Sequence, residues 1–149
     1  MTVRELEAGE TGLAWEALRE LRPHLTDREA FVARVDELQR PEGYRIVAVF
    51  EDGDEQARAV AGFRVGHNLA WGRFLYVDDL STLPEARRRG HARRLLDWVA
   101  AEAERLGCDS VELDSGVGAD RQHAHRTYFS AGMRIASFHF TRPAAPPPA

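Results

Sequence analysis

The 149-residue chain contains no lysine: all twenty of its Lys/Arg residues are arginine. It therefore has no side-chain amine of its own to be modified. It has one cysteine, Cys108, which excludes an internal disulfide, and no metal-ligand spacing surrounds it. A lone thiol fits a reducing compartment, so the expected setting is cytoplasmic. No apolar run approaches the roughly 20 residues that span a bilayer. The first residues lack the basic-then-apolar pattern of a secretion signal. No membrane partner is expected. Basic excess is also missing, since 24 acidic residues against 20 arginines leave a net charge of −4. A dedicated nucleic-acid binder carries the opposite balance, so no nucleic-acid partner is expected. There is no Gly-Lys-Ser/Thr phosphate loop, and Gly116-Val117-Gly118 lacks the third glycine of a dinucleotide fingerprint.

What remains reads as one domain over residues 1–142, followed by a disordered Pro/Ala tail over 143–149. Val3 to Leu6 is an edge strand. Leu13, Leu18 and Leu21 recur at helical spacing, and Pro23 closes that helix. Thr26-Asp27-Arg28-Glu29 has the form of a capping box and opens a second helix with Phe31, Val32, Val35 and Leu38 on one side. Tyr44 to Phe50 and Ala59 to Val65 form a hairpin, and Gly66-His67-Asn68 marks the next turn. Trp71 to Leu83 is a longer strand that Pro84 interrupts. From Glu85 to Leu106 an apolar stripe of Ala92, Leu95, Leu96, Val99, Ala103 and Leu106 predicts a helix that Gly107 stops. Ser110 to Leu113 is a short strand, Asp120 to Ala131 a helix, and Met133 to Phe140 a last strand. The order β α α β β β α β α β predicts an α/β (α+β) fold.

The most informative segment is Arg87-Arg88-Arg89-Gly90-His91-Ala92, set between a strand and a long helix. A helix N-terminus leaves main-chain N–H groups without partners and carries partial positive charge, so anions bind there. Gly90 has no Cβ and lets the backbone approach a phosphate. Arg87, Arg88 and Arg89 add formal charge.

This hexapeptide resembles the Gln/Arg-x-x-Gly-x-Gly/Ala pyrophosphate loop of the GNAT family of N-acetyltransferases. Tyr76-Val77-Asp78-Asp79-Leu80-Ser81-Thr82-Leu83-Pro84 resembles the strand before that loop. His125 to Tyr128, with Gly132-Met133, resembles the family's later helix. The resemblance covers about Leu75 to Phe140. It implies a mixed, mostly antiparallel sheet of six to seven strands, splayed in the middle and flanked by about four helices. It also implies acetyl-CoA as co-substrate. Arg87 to Ala92, His91 included, would hold the pyrophosphate, and main-chain groups of Leu80, Ser81 and Thr82 would hold the pantetheine arm. The implied activity is acetyl transfer from acetyl-CoA to a primary amine by direct attack in a ternary complex. The acidic pair and the acidic overall charge favour a small cationic acceptor. A protein N-terminal or lysine acetyltransferase and a non-catalytic acyl-CoA sensor are the alternatives.

Asp78 and Asp79 are the base candidates, with a water chain as the alternative. On regular strand geometry they alternate faces, so only one points into the site. Tyr128 is the candidate acid for the departing thiolate. The stretch from Asp120 to His125 lacks the Asn that the family often carries there, leaving that contact to Arg121 or Gln122. Six histidines lie in scattered positions, and His123 and His125 do not share a helix face, so no metal is expected. Acceptor specificity is expected in the two N-terminal helices and the loops near His67-Asn68 and Ser115 to Gly118. A homodimer is possible through an exposed last strand.

Overall fold

Ile46, Val47, Ala48 and Val49 are all fully buried, which explains why this segment does not alternate cleanly: it is covered on both faces. The computed structural model describes residues 1–145, 147 and 148, so Pro146 and Ala149 of the expected Pro/Ala tail lie outside the described residues. Residues 1–113 and 114–149 form two compact units.

The first unit is a sheet covered by helices. Its strands are β1 (Thr2–Leu6), β2 (Arg45–Phe50), β3 (Ala59–Asn68), β4 (Gly72–Thr82) and β5 (Ser110–Leu113). They lie in the order β1-β2-β3-β4-β5. The first three pairings are antiparallel, and β4 with β5 is parallel. Its helices are α1 (Trp15–Leu21), α2 (Arg28–Arg34) and α3 (His91–Arg105). On one face Ile46, Ala48 and Val60 pack with Trp15, Leu18 and Phe31 of α1 and α2. On the other, Val47, Val49, Phe63, Leu75 and Val77 pack with Leu95, Val99 and Ala103 of α3. The second unit holds α4 (Gln122–Ser130), preceded by a single 3₁₀ turn.

The sheet is therefore mixed and has five strands rather than six or seven. The sixth expected strand, Met133 to Phe140, has strand-like composition but no strand structure, because no neighbouring backbone pairs with it among the described residues. The turn expected at Gly66-His67-Asn68 is strand: the β3–β4 ladder continues to Asn68↔Gly72. No capping box forms at Thr26. The cap is Asp27, whose Oδ1 accepts from the N–H of Glu29 (2.9 Å) and Ala30 (3.3 Å).

α3 begins at His91, not Glu85. Pro84 to Ala86 form only a 3₁₀ turn, and Gly90 caps α3 with φ of +79°. Past the other end Gly107 takes φ of +68°, the left-handed conformation glycine adopts freely. Among the described residues no helix is long and apolar enough to cross a membrane. No group of three or more potential metal ligands gathers there either.

Candidate active site

Two features of β4 and α3 define the site. The first is the stretch of β4 that runs on past the end of β5. Their pairing ends at Val77↔Leu113, while β4 continues to Thr82 paired only with β3. β5 ends at Leu113, and the β5-side edge of residues 78–82 has no strand partner among the described residues. Such an edge can hydrogen-bond an extended ligand. Ser81 is buried, and Leu80 and Thr82 are half-buried.

The second feature is the start of α3. The bond from Arg94 N–H to the Gly90 carbonyl (3.1 Å) is the first of the helix. The N–H groups of His91, Ala92 and Arg93 therefore have no acceptor within the helix. Gly90 needs its positive φ, and a Cβ there would come within 3.2 Å of Arg94 Nη1. Arg88 is the one non-glycine residue with positive φ among the described residues, at +64°. The loop is thus held in a conformation most side chains avoid. These groups suit a pyrophosphate, and the open β4 edge suits an extended arm.

The arginine run is not a free cationic patch. Arg87 Nη2 donates to Glu20 Oε1 on α1 at 3.2 Å. Arg89 Nη1 donates to both oxygens of Glu51, at 2.9 and 2.8 Å. The same carboxylate meets Nε2 of the buried His91 at 2.9 Å. Arg89 and His91 together hold the Glu51 carboxyl below its usual range, Arg89 contributing more. Arg94 Nη1 donates to the Arg89 carbonyl at 2.6 Å. Glu51 thus pins the loop to the β2–β3 turn.

Asp78 and Asp79 do not follow regular alternation. Gly62 pairs with Asp79 and Phe63 with Val77, so Asp78 is the extra residue of a β-bulge. Leu75, Val77 and then Leu80 face the α3 core, which shows the shift in parity. Asp79 Oδ2 accepts from the Tyr44 hydroxyl at 2.8 Å, and Tyr44 belongs to the α1/α2 core. Asp79 Oδ1 accepts from Arg22 Nε at 3.0 Å. Asp78 accepts from Arg64 Nε on both oxygens, at 3.2 and 3.0 Å. The bulge thus removes the choice between the two: both carboxylates join one polar cluster.

Burial pushes the Asp78 carboxyl above its ordinary value, against the opposing pull of Arg64. Burial, then Asp79, raises the Tyr44 phenol well above its ordinary range, so Tyr44 stays a donor. Tyr44, Arg22, Arg64 and Glu51 were not legible as site residues. One signal did exist: Gly62 inside a strand marks a bulge or a close approach. A Cβ at Gly62 would lie 1.8 Å from the Tyr44 hydroxyl oxygen.

Tyr128 lies on α4, in the second unit. Burial raises its phenol above the usual value, partly offset by Arg121 and Ser115 beside it. In the same unit His125 Nε2 lies 2.8 Å from the Gly116 carbonyl and 3.1 Å from Ser115 Oγ.

A model of the acetyltransferase (GNAT) family matches residues 11–133. No curated protein matches the sequence. Among solved structures, an acetyltransferase from Trypanosoma brucei superposes with a TM-score of 0.79 at 17% identity, over 95% of this chain and 98% of that one. The aminoglycoside N-acetyltransferase AAC(6')-Iy in complex with CoA superposes with a TM-score of 0.78 at 17% identity, over 97% and 95% of the two chains. The same enzyme with a CoA–acetylneamine bisubstrate analogue gives a TM-score of 0.80 at 18% identity, over 97% and 98%. These structures share the fold, and the family model covers the loop, the bulged strand and α4. The chain belongs to the GNAT family of acetyltransferases.

Proposed function

We propose that this protein transfers the acetyl group of acetyl-CoA to a primary amine of a small molecule, by direct attack in a ternary complex. The observation that carries this reading is the start of α3, with Gly90 at φ +79° and main-chain N–H groups unclaimed by the helix. Acetyl-CoA, when bound, supplies the acetyl group as a thioester. The N–H groups from Arg88 to Ala92 hold its pyrophosphate, and Arg88 adds charge. Leu80, Ser81 and Thr82 offer main-chain groups to its extended arm along the open edge of β4. Holding both reactants in attack geometry contributes most of the acceleration.

Of the two carboxylates, Asp78 suits the base role. Burial raises its basicity, while Asp79 is held by both Arg22 and Tyr44. Asp78 takes the amine proton and Tyr128 donates to the departing thiolate. The proposed setting is cytoplasmic, on the single thiol of Cys108. Two copies pair through residues 133–140, whose Ile135, Phe138 and Phe140 are 71%, 85% and 91% exposed. Among the described residues β5 has one strand neighbour, and its other edge is proposed as the matching surface on a second copy.

Steady-state kinetics with both substrates varied tests the ternary complex. Intersecting double-reciprocal lines are expected. Parallel lines, the mark of a covalent acetyl-enzyme, would overturn direct attack.

A further inference from the structure

The acidic pair and the acidic overall charge favour a cationic acceptor, but the charge of the pair is already matched. Asp78 and Asp79 carry two negative charges, and Arg22 and Arg64, their ion-pair partners, carry two positive ones. A carboxylate pair neutralised in this way offers a polyamine no net attraction.

The arginines also have donors to spare. Arg64 reaches both oxygens of Asp78 through Nε alone. Its Nη1 and Nη2 have no acceptor among the described residues. They form the fork that meets a carboxylate with two parallel hydrogen bonds. The guanidinium is held over the Tyr76 ring, 5.1 Å from its centroid, and the side chain is 49% exposed. It is therefore oriented by stacking and reachable by a ligand. Arg22 spends Nε and Nη2 on Asp79 and on the Asp78 carbonyl (3.1 Å), leaving Nη1 without an acceptor among the described residues. Besides Asp78, the acid that acts on Arg64 is Glu42, through charge only.

A carboxylate with a forked donor beside it is the complement of a molecule that carries an amine and a carboxylate together. We propose that the acceptor is a small amino acid-like zwitterion, with Asp78 engaging its amine and Arg64 its carboxylate. This inference rests on the acetyl-transfer reading above and narrows its acceptor.

The test compares matched acceptors with acetyl-CoA by thiol release: phenylalanine with phenethylamine, and ornithine with putrescine. The amino acid of a pair is expected to show at least a 10-fold higher kcat/KM. Charge-assisted hydrogen bonds of this kind correspond to roughly 10- to 100-fold. In Arg64→Gln that ratio should fall towards one, and in Arg64→Lys, which keeps charge but not the fork, it should fall part of the way. If Arg64→Gln does not fold, the native ratio and the Arg64→Lys ratio still decide. Equal or better turnover of the amines lacking a carboxylate would overturn the zwitterion proposal while leaving acetyl transfer standing. A ratio unchanged in both Arg64 variants would remove Arg64 from recognition. Release with neither member of any pair, in protein that binds acetyl-CoA, would overturn the acetyl-transfer reading and this inference with it.

Discussion

In the proposed reaction Asp78 and Tyr128 have opposite proton tasks, and burial raises the pKa of both. The sign differs in its consequence. Asp78 acts as a base only when ionised, so activity is lost as pH falls through its raised value. Tyr128 acts as an acid only when protonated, and its raised value keeps it protonated well above neutral pH. In a profile of kcat against pH, Asp78→Asn is expected to remove the acid limb, and Tyr128→Phe the alkaline limb. Each should lower turnover by roughly 10²–10⁴-fold. A variant with native rate and native profile would take its residue out of the mechanism. Both residues are candidates already from the sequence, through the resemblance of the Asp78-Asp79 strand and the Tyr128 helix to those of the family. Their partners were not. Arg22 and Arg64 lie 57 and 14 positions from the carboxylates they meet, and one arginine among twenty carries no local mark of such a pairing.

The elements that frame the site fold by local rules, and their misreadings follow from the same rules. Pro84-Glu85-Ala86 has the composition of a helix start, a proline in the first turn beside an acid. The chain satisfies that preference with one 3₁₀ turn. It then breaks at Arg88 and Gly90, both at positive φ, before α3 begins. The stripe of α3 was legible because Leu95, Leu96, Val99 and Ala103 recur at helical period and are all buried. Gly90→Glu would force a side chain into the left-handed region and set a carboxylate where the pyrophosphate is proposed to bind. Calorimetry should then find no acetyl-CoA binding, and normal affinity would defeat the cradle. α3 is also tied to the sheet by charge. Glu102 accepts from Arg105 at 2.8 and 2.6 Å and from Arg45 at 2.8 Å, and Arg45 in turn reaches Glu5 on β1. Arg105 foremost, then Arg45, brings the Glu102 carboxyl down to about 2 from 4.5 against the cost of burial. A lowered carboxyl pKa stabilises the fold above the unfolded value and loses that contribution as pH falls from about 4.5 towards 2. Denaturant unfolding of Glu102→Gln should show a loss of ~2–3 kcal/mol at neutral pH. The difference from the native chain should shrink in strong acid. An equal difference at both pH values would mean that the carboxylate charge is not what stabilises.

At the scale of the whole molecule, the order of elements was legible and their pairing was not. Met133 to Phe140 has the composition of a strand, yet strand structure requires a second backbone that sequence alone does not supply. The bulge at Asp78 escaped for a related reason: it is a mismatch in register between two strands, visible only once they pair. The exposed Ile135, Phe138 and Phe140 predict that two copies associate. Sedimentation should find a dimer for the native chain and a monomer for the Phe138→Asp, Phe140→Asp double variant. A native monomer, or a variant that stays dimeric, would remove this segment from the interface. Thiol release across a panel of small primary amines, with mass analysis of the product, decides whether the chain moves acetyl from acetyl-CoA to an amine. Amine-dependent release is expected, with one N-acetyl product for each thiol. Bound acetyl-CoA with no amine-dependent release from any member of the panel would contradict that transfer.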